Sequence, residues 1–556
     1  MLRIQPDNRF VKPPLVCLGG LFFILLSLNT FGQKTTKPGE EPKGKKIEIL
    51  NADRASFDSK INADAQMLVG NVQLMHKDVV MFCDSALLYQ STNKLEAFGE
   101  VEINQGDTLH LFGDSLFYNG NIRQGKVQGN VLLTEKDVEL STDVLLYNTA
   151  KSEAYYTTGG TITSKKNKNV LTSVRGTYSS PVKTFYFKEK VVLTNPEYTI
   201  NTDTMDYNTT SEVAYFFGPT VIRSKENLLY AENGWYNTKL DLASFKERAF
   251  LISNEQKLEG DSLYYDRNLG IGQVFRNIVI SDTVNDFLIY GDYGIHFEKE
   301  NRSMITNEPR AVKLFETDSL FIKADTIYAI EDSLTKKTIL GYHNVSFFKP
   351  DMQGVCDTVI YAEKDSSLTM ISSPVIWNEN SQITGHVTVI YLDNKHPREL
   401  YIDKDAFISQ LVDTNYSQYN QVKGRELHGY FQGDELRDVY LMGNGQTIYY
   451  LYEDAKDSTK ELIGINKADC SNISIKLFDG QLKTITFSVD PVATAMSVDK
   501  LGSPDLLLKG FSWHGDRRPK NKEEIMFRKG DSAIQPSPLP KKEKKKKDKG
   551  PKKTKK

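Results

Sequence analysis

Cysteine is scarce in this 556-residue chain, with four in all and no Cys-x-x-Cys pair. That excludes a disulfide-stapled scaffold, a zinc ribbon and a dithiol redox centre. Histidine is also sparse, and His76, His110, His296, His343 and His386 share no metal-ligand spacing. A Gly-Lys-Ser/Thr phosphate loop and a Gly-x-Ser-x-Gly elbow are both missing, so neither phosphoryl transfer nor serine-nucleophile chemistry has a candidate constellation. No cofactor is expected, and no enzyme. Positive charge is confined: residues 541–556 hold eleven Lys against Glu543 and Asp548, a net of +9, which leaves −11 for the rest of a chain whose total is −2. A body that acidic excludes nucleic acid as a partner, because such binding neutralises phosphates with Lys and Arg. Long apolar runs are missing too, with one exception at the start of the chain.

That exception, Leu15 to Leu28, follows Arg3, Arg9 and Lys12 and precedes Thr30-Phe31-Gly32-Gln33. The pattern reads as an export signal over 1–32 with a mature start near Gln33, the apolar run being shorter than the roughly 20 residues of a spanning helix. Residues 33–46 read as a linker. At the other end, the lysine-rich stretch reads as the close of a disordered tail over 513–556.

Between these ends the chain is rich in Tyr (28) and Phe (28) and in short Thr, Val and Ile runs, the residues that fit a pleated, half-buried surface. Self-comparison shows two interleaved ladders with a period near thirty. The first is a small residue, then Asp, then apolar residues ending in Tyr. It appears as Cys83-Asp84 to Tyr89, Gly113-Asp114 to Tyr118, Thr142-Asp143 to Tyr147 and Thr202-Asp203 to Tyr207, and continues through Gly260-Asp261, Gly291-Asp292 and Ala324-Asp325 to Cys356-Asp357. The second carries Gly-Asn-Val or a relative: Gly70-Asn71-Val72-Gln73-Leu74, Gly99-Glu100-Val101-Glu102-Ile103, Gly129-Asn130-Val131-Leu132-Leu133, and later His343-Asn344-Val345. Alternation puts Val72 and Leu74, Val101 and Ile103, and Val131 and Leu133 on one face of a strand.

Such a period is too long for one hairpin and too helix-poor for a helical repeat. It predicts an all-β, elongated repeat array over 47–400, in which each turn adds one strand to each of two facing sheets. About twelve turns at roughly 4.8 Å each make a rod of about 55 Å. Beyond 400 the period breaks, and residues 401–512 read as a smaller C-terminal β module. Cys83 and Cys356 occupy the same slot of the Asp ladder, nine turns apart, and read as packed thiols. The Asp column reads as structural, each carboxylate bonding nearby backbone N–H groups as its strand begins. The Tyr column reads as core packing.

The combination of Gly-Asn-Val-x-Leu with Ala/Gly-Asp-Ser-x-x-x-Tyr about a dozen residues later resembles the OstA/LptA family of lipopolysaccharide-transport proteins, most clearly over 47–160. The resemblance implies a twisted two-sheet β-jelly-roll, open along one side, whose interior holds lipid A acyl chains and whose ends join similar domains by strand pairing. Val72, Leu74, Val101, Ile103, Val131 and Leu133 would then face the lipid. It also implies a periplasmic setting, associated with the outer membrane, with lipopolysaccharide and other jelly-roll transport components as partners and peripheral contact with a membrane. Two other readings stay open at this point: a carbohydrate-active parallel β-helix protein, and a structural cell-surface rod without a ligand.

Overall fold

The computed structural model describes residues 46–527 except 58–63, 107–108, 136–137, 166–167, 226, 254–255, 284–285, 316–317, 333–335, 394–395, 414–417, 434, 455–459, 479–480 and 498–505. The export signal, most of the expected linker and the lysine-rich stretch lie outside the described residues.

Strands of eleven or twelve residues follow one another as hairpins: Gln66–His76, Val79–Tyr89, Lys94–Gln105, Leu109–Asn119, Gln124–Glu135 and Val138–Asn148, each antiparallel to the next. Every described strand pair is antiparallel, which rules out the parallel β-helix. The ladder runs on as a single sheet to Lys460–Phe478, which is flanked by Gln481–Ser488 on one half and Val492–Ser497 on the other. The period therefore does not break at 400. His396–Ile402 and Ala406–Asp413 pair into the same ladder, so no separate module begins at 401. The Gly-Asn bulge itself recurs past that point, at Gly443-Asn444 in the gap between Met442 and Gly445.

That bend is the main correction to the expected stacking. The Gly-Asn pair does not open a strand; it sits in the middle of one. Pairing skips between Val69 and Val72, Phe98 and Val101, and Gln128 and Val131, with two successive residues at positive φ in each gap, such as Gly129 at 75° and Asn130 at 44°. This is a β-bulge, one extra residue that kinks the strand. The facing Asp strand shifts phase at the same line: Val79, Met81 and Cys83 point inward before it, Ala86 and Leu88 after it. Bulges recur at Glu189-Lys190, Glu247-Arg248, Arg276-Asn277 and His343-Asn344. One sheet is thus folded lengthwise along a row of bulges into two leaves, and every long strand crosses both. A repeat contributes two such strands and advances the fold by about 9.6 Å, twice the distance expected from one strand per leaf.

The apolar faces of the two leaves meet in a continuous core from Ile47 to Ile278, followed by a second from Ile289 to Ile475, with Ile280 packing against both. Burying side chains of this kind contributes roughly 1.5–3 kcal/mol each, an upper estimate against a compact unfolded chain. Residues 506–527, most of them expected in a disordered tail, instead form a strap across the outside of one leaf. Three buried glutamines hold it, two through its backbone and one through a side chain. Gln421 binds Leu506 O and Leu508 N, each at 2.8 Å; Gln382 binds Ser512 O and His514 N, each at 2.7 Å; Gln353 Oε1 accepts from Arg518 at 2.8 and 2.5 Å. Leu508 and Phe511 cover Phe407, Ile448, Tyr450 and Ile465, and the strap ends in the short helix Lys522–Met526. Apolar cover, not sequence polarity, decides that this stretch is ordered.

Candidate functional site: the interior between the leaves

The inward residues of one leaf form a cross-strand aliphatic column. Leu74 pairs with Met81, Ile103 with Leu111 and Leu133 with Leu140, and the column continues through Ile162, Leu171, Leu193, Ile200, Ile222, Leu229, Leu251 and Leu258 to Ile280. All six residues expected to touch lipid, Val72, Leu74, Val101, Ile103, Val131 and Leu133, point into this interior. They are also only 0–3% exposed and belong to one packed cluster. At that end large aliphatic side chains from both leaves fill the space, so these six are core and line no part of the cavity described next.

Further along, the interior opens. Leu193, Ile222, Leu229, Leu251, Leu258 and Ile280 remain only partly buried, although they continue the same column. A cavity of about 380 Å³ lies at the start of this stretch, with Leu193 in its lining, and is within the size range of small-molecule sites. Its apolar wall includes Ile162, Leu171, Leu193, Ile200, Met205 and Phe216. Tyr178, Phe185 and Phe187 add a stack with ring centroids 4.3 and 5.6 Å apart. Ala214, Thr209 and Thr210 line the facing side.

Contacts between the free rims of the two leaves bracket this cavity. Arg123 NH2 donates to Asp78 Oδ1 at 2.9 Å, Lys183 Nζ to Glu135 Oε1 at 2.5 Å, and Arg267 NH2 to Glu197 Oε2 at 2.8 Å. Nearer the filled end, His76 Nδ1 lies 2.7 Å from Tyr118 OH, and Tyr147 donates to Gln105. Burial works against ionisation of Asp78, but hydrogen bonds from Gln105 and Arg123 outweigh it and hold its carboxyl below the usual range. Burial first, then the Glu135 carboxylate, pushes the Tyr178 phenol far up; at Tyr236 burial and Asp241 do the same.

The Asp column has a structural role with a different partner from the expected backbone. Asn71 donates to Asp53, Asn130 to Asp114, Asn277 to Asp261 and Asn344 to Asp325, at 2.7–3.2 Å. Asp292 accepts from the backbone N–H of Asn277. The Tyr column packs as expected, with Tyr118, Tyr147 and Tyr178 buried. Cys83 and Cys356 are buried free thiols, raised by burial to about 11 and about 12. Among the described residues, no three His, Cys, Asp or Glu converge as a metal site, and no helix is long and apolar enough to cross a membrane. The sequence reasoning missed the cavity and its rim.

A lengthwise-folded antiparallel sheet with an apolar interior open over part of its length defines an all-β jelly-roll fold. Residues 44–203 and 199–261 match the model of the OstA-like protein family. Among solved structures it is similar to LptH from Pseudomonas aeruginosa, described as the LptA homologous periplasmic component of the conserved lipopolysaccharide transport device. Identity is 15%, over 21% of this chain and 95% of that one, with a TM-score of 0.20. No curated protein matches the chain.

Proposed function

We propose that this chain is a non-catalytic lipopolysaccharide-binding and transport scaffold of outer-membrane assembly, working in the periplasm and shielding acyl chains between its leaves. The observation that carries this reading is the apolar cavity lined by Leu193, on an aliphatic column whose further members from Ile222 to Ile280 stay only partly buried. Each methylene moved from water into such a lumen gains about 0.8 kcal/mol, so an acyl chain is held without any chemical step. The ends suit assembly with similar domains. Among the described residues, the strands Glu48–Asn51 and Arg54–Phe57 pair on one side only, as do Gln481–Ser488 and Val492–Ser497 at the far end. Unpaired edges accept a further strand from a partner. The OstA-like match supports the same assignment.

A photo-crosslinking residue tests it. Placed at Leu193, Ile222 or Leu251 it should capture lipopolysaccharide in cells, and placed at Val221, on the opposite face of the same strand as Ile222, it should not. Equal capture from Val221, or none from the three inward positions, would sink the proposal.

A further inference from the structure

The free rims of the two leaves meet in a register that slips at one place. Asp78 bonds Arg123, Gln105 bonds Tyr147 and Ser152, and Glu135 bonds Lys183. Partners in this series lie 42–48 residues apart, so successive hairpin turns of one rim meet successive turns of the other. The next ion pair, Glu197 with Arg267, joins residues 70 apart. Between it and Glu135–Lys183 one rim has the single turn from Ser164 to Val170, while the other has two, Asn208 to Val213 and Asn237 to Leu242. An extra hairpin lengthens one rim by about 9.6 Å, so the two edges cannot stay matched there. The bonding along this stretch runs within each leaf. Lys165 pairs with Glu139 and Asn195 donates to Asn169, both at 2.7 Å, on one side; Thr209 donates to Lys183 O at 3.2 Å and Thr238 to Glu212 O at 3.0 Å on the other. Both rims line the cavity here, through Ser164 and Asn169 and through Thr210 and Glu212. Along the interior, by contrast, the way toward the N-terminal edge is shut. Leu74, Met81, Leu111 and Leu133 are 0–3% exposed, and a close-packed interior has no passage for a chain.

From this we infer that the mismatched stretch of the seam is a lateral port: a guest's chain enters and leaves the cavity sideways, between Glu135–Lys183 and Glu197–Arg267, and these two pairs are the posts that limit how far the rims part. The inference rests on the reading of the interior as an acyl-chain site and adds the route, which is across the seam and not by threading from the N-terminal edge. The posts are unequal. Glu135, with its side chain only 11% exposed, is held by Lys183 and by the Tyr178 phenol together. Glu197 and Arg267 are 64% and 51% exposed, and an ion pair so open to water is weak. The port therefore widens on the Glu197–Arg267 side.

The test follows exchange of an uncharged solvatochromic alkyl dye in the lumen of the purified full chain by stopped-flow fluorescence, with Cys470→Ser as the parent. A short bis-maleimide staples the rims at the exposed post in Glu197→Cys with Arg267→Cys, and over the packed end in Asp78→Cys with Arg123→Cys; Cys83 and Cys356 are buried and stay unlabelled. The staple at 197 and 267 should slow dye entry and release alike by at least about tenfold and leave equilibrium affinity within about twofold, which is how a gate differs from a lost contact. The staple at 78 and 123 should change neither rate, and the unstapled Glu197→Cys/Arg267→Cys protein should exchange at least as fast as the parent. Rates untouched by the first staple, or slowed as much by the second, overturn the port while the acyl-chain reading stands. A parent chain that takes up no dye sinks the acyl-chain reading, and the port with it.

Discussion

Asn130 Nδ2 donates to both carboxylate oxygens of Asp114, at 3.2 and 3.0 Å, from the strand next to it. The two sequence ladders are therefore one device: the Asp of one strand steadies the bulge of the following strand, and the fold line is built from that contact repeated. Asn tolerates its φ of 44° better than most residues because a short polar side chain offsets the strain locally.

Substitution at this bulge should expose the constraint. Asn130→Val puts a β-branched residue at positive φ and loses the bond to Asp114, and should destabilise the local hairpin by about 1–2 kcal/mol, whereas Asn130→Gly should cost less. Gly129→Ala should be worse than Asn130→Gly, because its Cβ would lie 2.2 Å from Asp114 Oδ2. Amide hydrogen exchange across 109–148 reads these effects locally, which suits a repeat array that need not unfold as one unit. Equal protection in all three variants would refute the role given to the bulge.

The filled and open ends should respond in opposite ways to changes of volume. Leu133→Ala removes a packed side chain and should cost about 2–5 kcal/mol with no change in dye binding. Ala214→Phe should instead weaken dye binding several-fold with little change in melting temperature, since it grows into existing space. A loss of dye binding in Leu133→Ala with its fold intact would show that the lumen extends to the N-terminal repeats.

The strap should be separable from the sheet it covers. Removing residues 506–556 uncovers Phe407, Ile448, Tyr450 and Ile465, so binding of a hydrophobic dye to the outer face should rise. Arg518→Ala leaves the cover in place but removes its bonds to Gln353, and should speed proteolytic cleavage within 506–527. An unchanged cleavage rate would mean that the apolar contacts alone hold it.

The thiols provide a check on packing. With burial raising Cys83 to about 11 and Cys356 to about 12, both should resist a maleimide at pH 7.5 and react only on unfolding. Cys470, less buried, should label first. Mass spectrometry of timed samples gives the order, and early labelling of Cys83 would contradict the closed N-terminal interior.

Acid should loosen the Asp78–Arg123 contact. Asp78 has a folded pKa below its unfolded value, so its contribution is present above about pH 4 and is lost as pH falls through the depressed value. Its side chain is largely exposed, so screening keeps that contribution small. Asp78→Asn should flatten the dependence of hydrogen exchange on pH between 5 and 3 around 76–79 and 120–123. An identical profile in the variant would remove Asp78 from the account.

Much of the fold could be read from residue order alone because its cause is local. Alternation in Val72-Gln73-Leu74 and Val101-Glu102-Ile103 specifies strands with one buried face, and recurrence near thirty residues specifies repetition. Gly129-Asn130 was visible as a signal, yet its position mid-strand was not, since the same two residues also suit a turn. The strap was misread because Arg517, Arg518 and Lys520 look solvated in isolation, although Leu508, Phe511 and Ile525 around them are anchors.

Periodicity by itself determined that the chain repeats, that it is all strand, and which side chains point inward, since each depends on neighbours along the chain. Whether an inward residue is packed or left facing a space was decided only by the tertiary structure. That outcome depends on the summed volumes of residues from both leaves, far apart in sequence, and so Leu133 is sealed while Leu193, on the same column, remains open.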